Sequence, residues 1–285
     1  MNTFGGNWTE NKIEILVEYA KAYLTIMNVH AGIYGWKLLY FDGFAGSGLI
    51  VKGADENRKE IIGAARRIIE IEYPRPFDEY YFVEKDENNF EALSQSTQRV
   101  FPGKTIHAVR EDCNTKLLGL ANFLEKPEGK GYKILAYIDP CGMQLRWDSL
   151  ERLKDLSVDV WILVPTGMGV NRLLRNDGNI SDAWLQKLEV FLGMDRDSIV
   201  AHFYKNQTIN TLFGEEKVTS KEENAIEKSA ELYQKRLKSI FKFVTKAYVL
   251  KTKSNTTLFH FLMASNNINA VKIADEIVEK YNAKT

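Results

Sequence analysis

Several things are scarce in this sequence, and each scarcity excludes something. Two cysteines, Cys113 and Cys141, in 285 residues are too few for a disulfide scaffold and have no zinc-ligand spacing. Six prolines and nineteen glycines argue against long disordered stretches. There is no apolar run of about 18 residues, so no membrane span is expected. The opening Met1-Asn2-Thr3-Phe4-Gly5-Gly6 lacks a basic stretch followed by an apolar one, so no signal peptide is expected. A reducing cytoplasm is the simplest compartment. Charge excess is also absent: 38 basic residues face 38 acidic ones. A protein that wraps duplex DNA usually carries a basic excess, so contact with nucleic acid would need a local patch. One exists. Residues 233–253 contain Lys235, Arg236, Lys238, Lys242, Lys246, Lys251 and Lys253 and no acid. Phe241, Phe243 and Tyr248 lie among them and are candidates for stacking on single-stranded bases. The competing reading is a solvated face of a helix and an outer strand.

What is present is a core. The chain is 45% hydrophobic and 12% aromatic, and its length fits one α/β domain spanning 1–285. Thr9 and Glu10 open an amphipathic pattern through Ile13, Leu16, Val17, Ala20, Leu24 and Met27, which predicts an N-terminal helical extension over 1–30. Continuous apolar runs then alternate with helical patterns. Strands are expected at 37–41, 79–83, 104–109, 133–138 and 158–164, and helices at 59–72, 87–100, 115–124 and 148–156. Unbroken apolar strands mean a parallel sheet covered on both faces. A helical insertion is expected at 180–240, with helices near 182–192 and 221–239 around a polar stretch. Strands near 241–250 and 257–264 follow, joined by a turn at Lys253-Ser254-Asn255-Thr256, and then a helix at 269–281. Five parallel strands ending in an antiparallel hairpin predict a doubly wound, Rossmann-like sheet of the methyltransferase type.

Ligands of such sheets bind outside the carboxyl ends of the strands. Four strand ends carry acids: Asp42, Glu84, Asp112 and Asp139. A single turn acid is usually a solvated cap, but four in succession on one edge point to a site. The first end leads into Phe41-Asp42-Gly43-Phe44-Ala45-Gly46-Ser47-Gly48, where glycines let the backbone turn tightly against a ligand. A pyrophosphate needs a helix N-terminus just past the glycines. Here residues 49–58 intervene, and Asp42, Asp55 and Glu56 disfavour a phosphate. S-adenosyl-L-methionine has no phosphate, and its sulfonium and ammonium suit an acid. Cofactor contacts are therefore expected from Asp42, Phe44, Ala45, Gly46 and Gly48. In Glu84-Lys85, Glu84 is a candidate acceptor for both ribose hydroxyls. Asp112 is a candidate partner of the adenine amine, with Asn114 beside it as ligand contact or helix cap.

Asp139-Pro140-Cys141-Gly142 ends the fourth strand. Methyltransferases acting on exocyclic amines hold the amine at this place in an acid-Pro-Pro-aromatic turn, by an acid oxygen and a backbone carbonyl. Asp139, Pro140 and Gly142 are the catalytic candidates, with Cys141 and Gly142 standing where the second proline and the aromatic would be. Pro140-Cys141 also fits the dipeptide of pyrimidine-carbon methyltransferases, whose cysteine attacks the base; a small buried cysteine is the blander reading. Trp8 and Lys12 are candidates to close over the cofactor, Arg172 and Arg175 to line a substrate cleft, and His260 to be a satisfied core histidine.

Together, Trp8-Thr9-Glu10-Asn11-Lys12, Tyr19, Tyr23-Leu24, Phe44-Ala45-Gly46-Ser47-Gly48, Phe82-Val83-Glu84-Lys85-Asp86, Tyr137-Ile138-Asp139-Pro140-Cys141-Gly142-Met143, Val158-Asp159-Val160, Pro165, Asn171-Arg172 and the strand 259–266 resemble the three-Cys-motif partner proteins. The resemblance spans nearly the whole chain. It implies a methyltransferase-like fold, S-adenosyl-L-methionine as cofactor, and a partner protein bearing a three-cysteine motif. That family usually has tyrosine where this chain has Cys141.

Overall fold

The computed structural model describes residues 7–52, 59–211 and 214–283. The chain enters through α1 (Asn7–Tyr34), then β1 (Lys37–Asp42), a ribbon of β2 (Leu49–Lys52) and β3 (Lys59–Ile62), and α2 (Ala64–Ile69). β4 (Glu79–Glu84), α3 (Glu87–Val100), β5 (Ile106–Arg110), α4 (Cys113–Glu125), β6 (Tyr132–Ile138), α5 (Trp147–Glu151) and β7 (Val158–Val164) complete the alternating part. α6 (Asn171–Leu173), α7 (Asp182–Leu192), α8 (Arg196–Phe203), a ribbon of β8 (Tyr204–Thr211) and β9 (Gly214–Lys221), and α9 (Ala225–Leu237) follow. The chain closes with β10 (Phe243–Val244), β11 (Tyr248–Lys251), β12 (Thr257–Ser265) and α10 (Ile268–Asn282).

The main sheet has the order β10-β12-β7-β6-β1-β4-β5, with β11 also on β12. β5, β4, β1, β6 and β7 are mutually parallel, and β12 runs antiparallel to β7. This is the doubly wound, Rossmann-like sheet of the methyltransferase type. From β1 the chain winds outward through β4 and β5, returns to β6, and winds the other way through β7. The switch point therefore lies at the carboxyl end of β1.

Alternation along each strand splits the core in two. Leu39, Phe41, Ala136 and Ile138 pack with α4, α5 and α7–α9 on one face. Leu38, Tyr40, Leu135 and Tyr137 pack with α1, α2 and α10 on the other. α1 and α10 lie against each other on that second face. No helix among the described residues is long and apolar enough to cross a membrane.

Three expectations are corrected. Residues 59–62 pair with 49–52 as a strand, so the helix expected over 59–72 shrinks to α2; the β-branched residues of Ile50-Val51 and Ile61-Ile62 favour strand over helix. The insertion at 180–240 is not helical throughout, because β8 and β9 pair over eight residues inside it. The strand expected at 241–250 is broken at Thr245, whose hydroxyl accepts from the Met263 N–H, and at Lys246, whose N–H donates to Asp275. The turn after β11 closes as expected, with the Thr252 N–H on the Thr256 carbonyl.

Candidate active site at the carboxyl edge

Two adjacent strands end in the same pattern, Tyr40-Phe41-Asp42 and Tyr137-Ile138-Asp139. Residues two apart share a strand face, so each tyrosine lies beneath its own acid. The Tyr137 hydroxyl donates to Asp139 Oδ2 at 2.8 Å, and the Tyr40 hydroxyl lies 3.4 Å from Asp42 Oδ2. β1 and β6 place Asp42 beside Tyr137, which brings the two pairs together.

Asp42 is 1% exposed. It lies under the turn rather than on its surface, and its Oδ1 accepts the Phe44 N–H at 3.1 Å. Burial pushes its carboxyl up to about 8, and the charges of Asp139 and Glu84 push the same way. Asp42, Glu84 and Asp139 therefore act as one electrostatic cluster. The turn above is tied on both sides, by the Gly43 N–H to the Tyr137 carbonyl and the Ala45 N–H to the Val83 carbonyl. Gly46 and Gly48 have φ of +62° and +78°, a region that favours glycine. Glu84 accepts the Gly46 N–H at 2.9 Å through one oxygen and the Asp86 N–H at 2.8 Å through the other. It thus holds the glycine turn against β4.

The ribbon β2–β3 returns the chain to the glycine turn: the Gly63 N–H donates to the Gly48 carbonyl, so α2 begins beside the glycines despite the residues that intervene in sequence. The acid cluster, not the missing helix, is what disfavours a phosphate here. Asp55 and Glu56 lie outside the described residues, as does the side chain of Trp8.

Asp139 has a cation. Lys12, from the second turn of α1, reaches its Oδ2 at 2.5 Å, and the two side chains are 7% and 21% exposed. Oδ1 of Asp139 accepts no hydrogen bond from the described residues. Pro140 is buried and Gly142 is half-buried. Cys141 is exposed; desolvation and then Asp139 push its thiol up, the wrong direction for a nucleophile.

Three expected cofactor contacts, Lys85, Asp112 and Asn114, have protein partners. Asp112 is the N-cap of α4, accepting the Asn114 N–H, and its other oxygen meets Lys85 at 3.3 Å. Asn114 lies inside that helix and is not its cap. It donates to Asp112 and to the Gln144 carbonyl and accepts the Arg146 N–H, so it pins the loop that follows Asp139. Its three polar contacts make it a bracket of the site. Arg172 and Arg175 are exposed after β7, with Arg175 paired to Asp177. His260 is buried, bonds Thr166 at 2.8 Å, and is pushed down to about 4 by burial, as a neutral core histidine.

The basic stretch is dispersed. Lys242 donates its N–H to Asn266 just past the end of β12, at the amino edge of the parallel strands, and Lys235 and Lys238 flank the end of α9 that leads there. Lys246 pairs with Glu279, while Lys251 sits at the carboxyl edge beside Thr257. Phe241 and Tyr248 are buried and so are not stacking platforms.

The sequence matches no protein-family model and no curated protein. Solved structures of similar fold include protein LPL1258 from Legionella pneumophila, 13% identical, covering 97% of this chain and 93% of that one at a TM-score of 0.47. Trm1 from Pyrococcus horikoshii, solved with S-adenosyl-L-methionine, is 13% identical, with 93% and 65% covered at 0.35. An S-adenosylmethionine-dependent methyltransferase from Clostridium acetobutylicum is 12% identical, with 88% and 92% covered at 0.33. At such identities and scores, these likenesses assign nothing at the site.

Proposed function

We propose that this protein is an S-adenosyl-L-methionine-dependent methyltransferase acting on an exocyclic amine of a nucleobase. The observation that carries the reading is the convergence of Asp42, Glu84 and Asp139 around one glycine turn at the switch point. An acidic cluster suits a ligand bearing a sulfonium and an ammonium, which would draw Asp42 into its ionised form, and opposes a pyrophosphate. Glu84 and the glycine turn would hold the ribose and the amino-acid end. When bound, the cofactor supplies an electrophilic methyl group. Asp139 would do the rest of the work. Lys12 and Tyr137 fix its Oδ2, and Oδ1 then accepts a hydrogen bond from the incoming amine. Orientation against the methyl group supplies most of such a transfer. A base must be unpaired or flipped to present its amine there.

A second acceptor class, a protein, peptide or small molecule delivered by a partner such as a three-cysteine-motif protein, is favoured by one observation. Lys235, Lys238 and Lys242 lie away from the carboxyl edge, so they give a polyanion no hold at this site. The test is transfer of a tritiated methyl group from S-adenosyl-L-methionine to separate nucleic-acid and protein fractions, with Asp139→Ala as control. Label in nucleic acid that is lost in the variant supports the first acceptor. Label only in protein supports the second. Cofactor binding with no transfer to any fraction overturns catalysis and leaves a cofactor-binding subunit.

A further inference from the structure

Among the cavities that open off the described part of the sheet are two that are not lined by Asp42, Glu84 or Asp139. One lies under α4 beside Glu79, whose carboxylate already meets the Tyr132 hydroxyl, His107 and Lys37. The other, of about 560 Å³, lies between α1 and α10, within the size range of ligand pockets. It sits at the amino edge, because Asp159 is the second residue of β7 and Asn267 follows the end of the antiparallel β12.

We propose that this second cavity binds an alkylammonium group, with Asp159 as its counter-ion. The proposal is independent of the methyltransferase reading. Asp159 is held by hydroxyls alone: Tyr19 donates to Oδ2 at 2.8 Å and Ser265 to Oδ1 at 2.5 Å. It makes no ion pair among the described residues, and two hydroxyls use only half of a carboxylate's roughly four acceptor positions. Burial pushes its carboxyl up, against the opposing pull of the Ser265 and Tyr19 hydrogen bonds and of the Lys133 ammonium. Beside it, the Tyr23 hydroxyl is fully buried and has no hydrogen-bond partner among the described residues. The floor thus offers the free acceptor positions of a carboxylate beside a hydroxyl that can donate or accept, and the carboxylate suits a cationic donor.

The walls fit the same chemistry. Tyr34 and Trp36 stack with centroids 4.8 Å apart, and Met27 and Ile273 give apolar surface for an alkyl chain. Trp36 already receives one cation: Lys133 Nζ lies 4.4 Å from its ring, in the range of cation–π attraction. The opposing positive features are both engaged. Lys133 donates to Ser157, and Asn267 caps the N-terminus of α10 at the rim. An anion would face Asp159 and gain little from either.

The test is calorimetric titration of the full chain with cadaverine, with Nα-acetyl-lysine methylamide, and with neutral 1-pentanol. Saturable binding of the amines and none of pentanol is expected, at about one site per chain. Asp159→Asn should weaken amine binding about tenfold or more, the scale of a charge-assisted hydrogen bond. Asn269→Trp, an exposed rim change, should block the mouth and abolish binding even where Asp159→Asn does not fold. Tighter binding of cadaverine identifies a free diamine as the source of the ammonium, and tighter binding of the lysine amide identifies a protein side chain. Equal affinities in wild type and Asn269→Trp, or no saturable heat with either amine, overturn the proposal.

Discussion

The two edges of this sheet hold buried and half-buried carboxylates by different means. At the carboxyl edge, Asp42 and Glu84 are gripped by main-chain N–H groups of a glycine turn, and Asp139 by an ammonium and a phenol. At the amino edge, Asp159 is gripped by two hydroxyls, one from α1 and one from the end of β12. Both kinds of donor favour the charged form, yet burial pushes Asp42 and Asp159 alike upward. The difference lies in where the donors come from, a local turn at one edge and distant elements at the other. On the two proposed readings, the first edge would hold a group to be transferred and the second would receive a positive charge.

The largest effect expected from breaking this contrast is at Asp139. Asp139→Ala should lower turnover by about 10²–10⁴-fold, the range for a positioned hydrogen-bonding group at a reacting centre. Cofactor affinity should stay nearly unchanged; a calorimetric titration beside the turnover assay separates the two.

Next is Lys12→Met, which leaves Asp139 without its cation. Breaking a fully buried pair costs about 3–5 kcal/mol. Asp139 is 21% exposed, so the loss should be about 2 kcal/mol, read by urea denaturation. The double variant Lys12→Met/Asp139→Ala should recover part of it.

The third effect is on pH. Asp42 is pushed up to about 8 in the folded chain, while an unfolded aspartate titrates near ~4. Between those values the folded state holds a proton that the unfolded state lacks, so the stability of the ligand-free protein falls as pH rises through this window. A positively charged cofactor favours the ionised acid and expels the proton. Its affinity should therefore rise with pH between about 6 and 8, by at most about tenfold per unit for one linked proton. Asp42→Asn should flatten that slope.

The smallest effect sharpens the contrast by being absent. Replacing Lys235, Lys238 and Lys242 with glutamine should leave cofactor binding and turnover within about twofold, because surface changes away from the site act weakly. A strong, salt-sensitive loss would instead draw nucleic acid across the α9 end of the molecule.

Much of this was legible in the sequence, and the contrast between edges explains what was not. The parallel strands announced themselves as unbroken apolar runs, and their ends as Asp42, Glu84, Asp112 and Asp139. The glycine turn follows from local chemistry, so its geometry was readable. The Tyr-x-Asp ending of β1 and β6 was also there to be read, since strand residues two apart share a face; the hydrogen bond from Tyr137 to Asp139 is its consequence. What local pattern cannot carry is contact across long sequence separation. Lys12 meets Asp139 across 127 residues, and Tyr19 meets Asp159 across 140. The same reason hid the roles of Asp112 and Asn114. Their spacing fits a ligand contact or a cap equally well, and only the loop at Gln144–Arg146 decides it. The ribbon β8–β9 escaped because its polar strands carry no one-sided apolar alternation.

The most direct test of the central claim is a calorimetric titration of S-adenosyl-L-methionine into the wild-type chain and into Glu84→Ala. The account predicts saturable binding by the wild type and a ten- to hundredfold loss in the variant, about 1.5–3 kcal/mol for charge-assisted hydrogen bonds. No binding by the wild type, or equal affinity in both proteins, would contradict it.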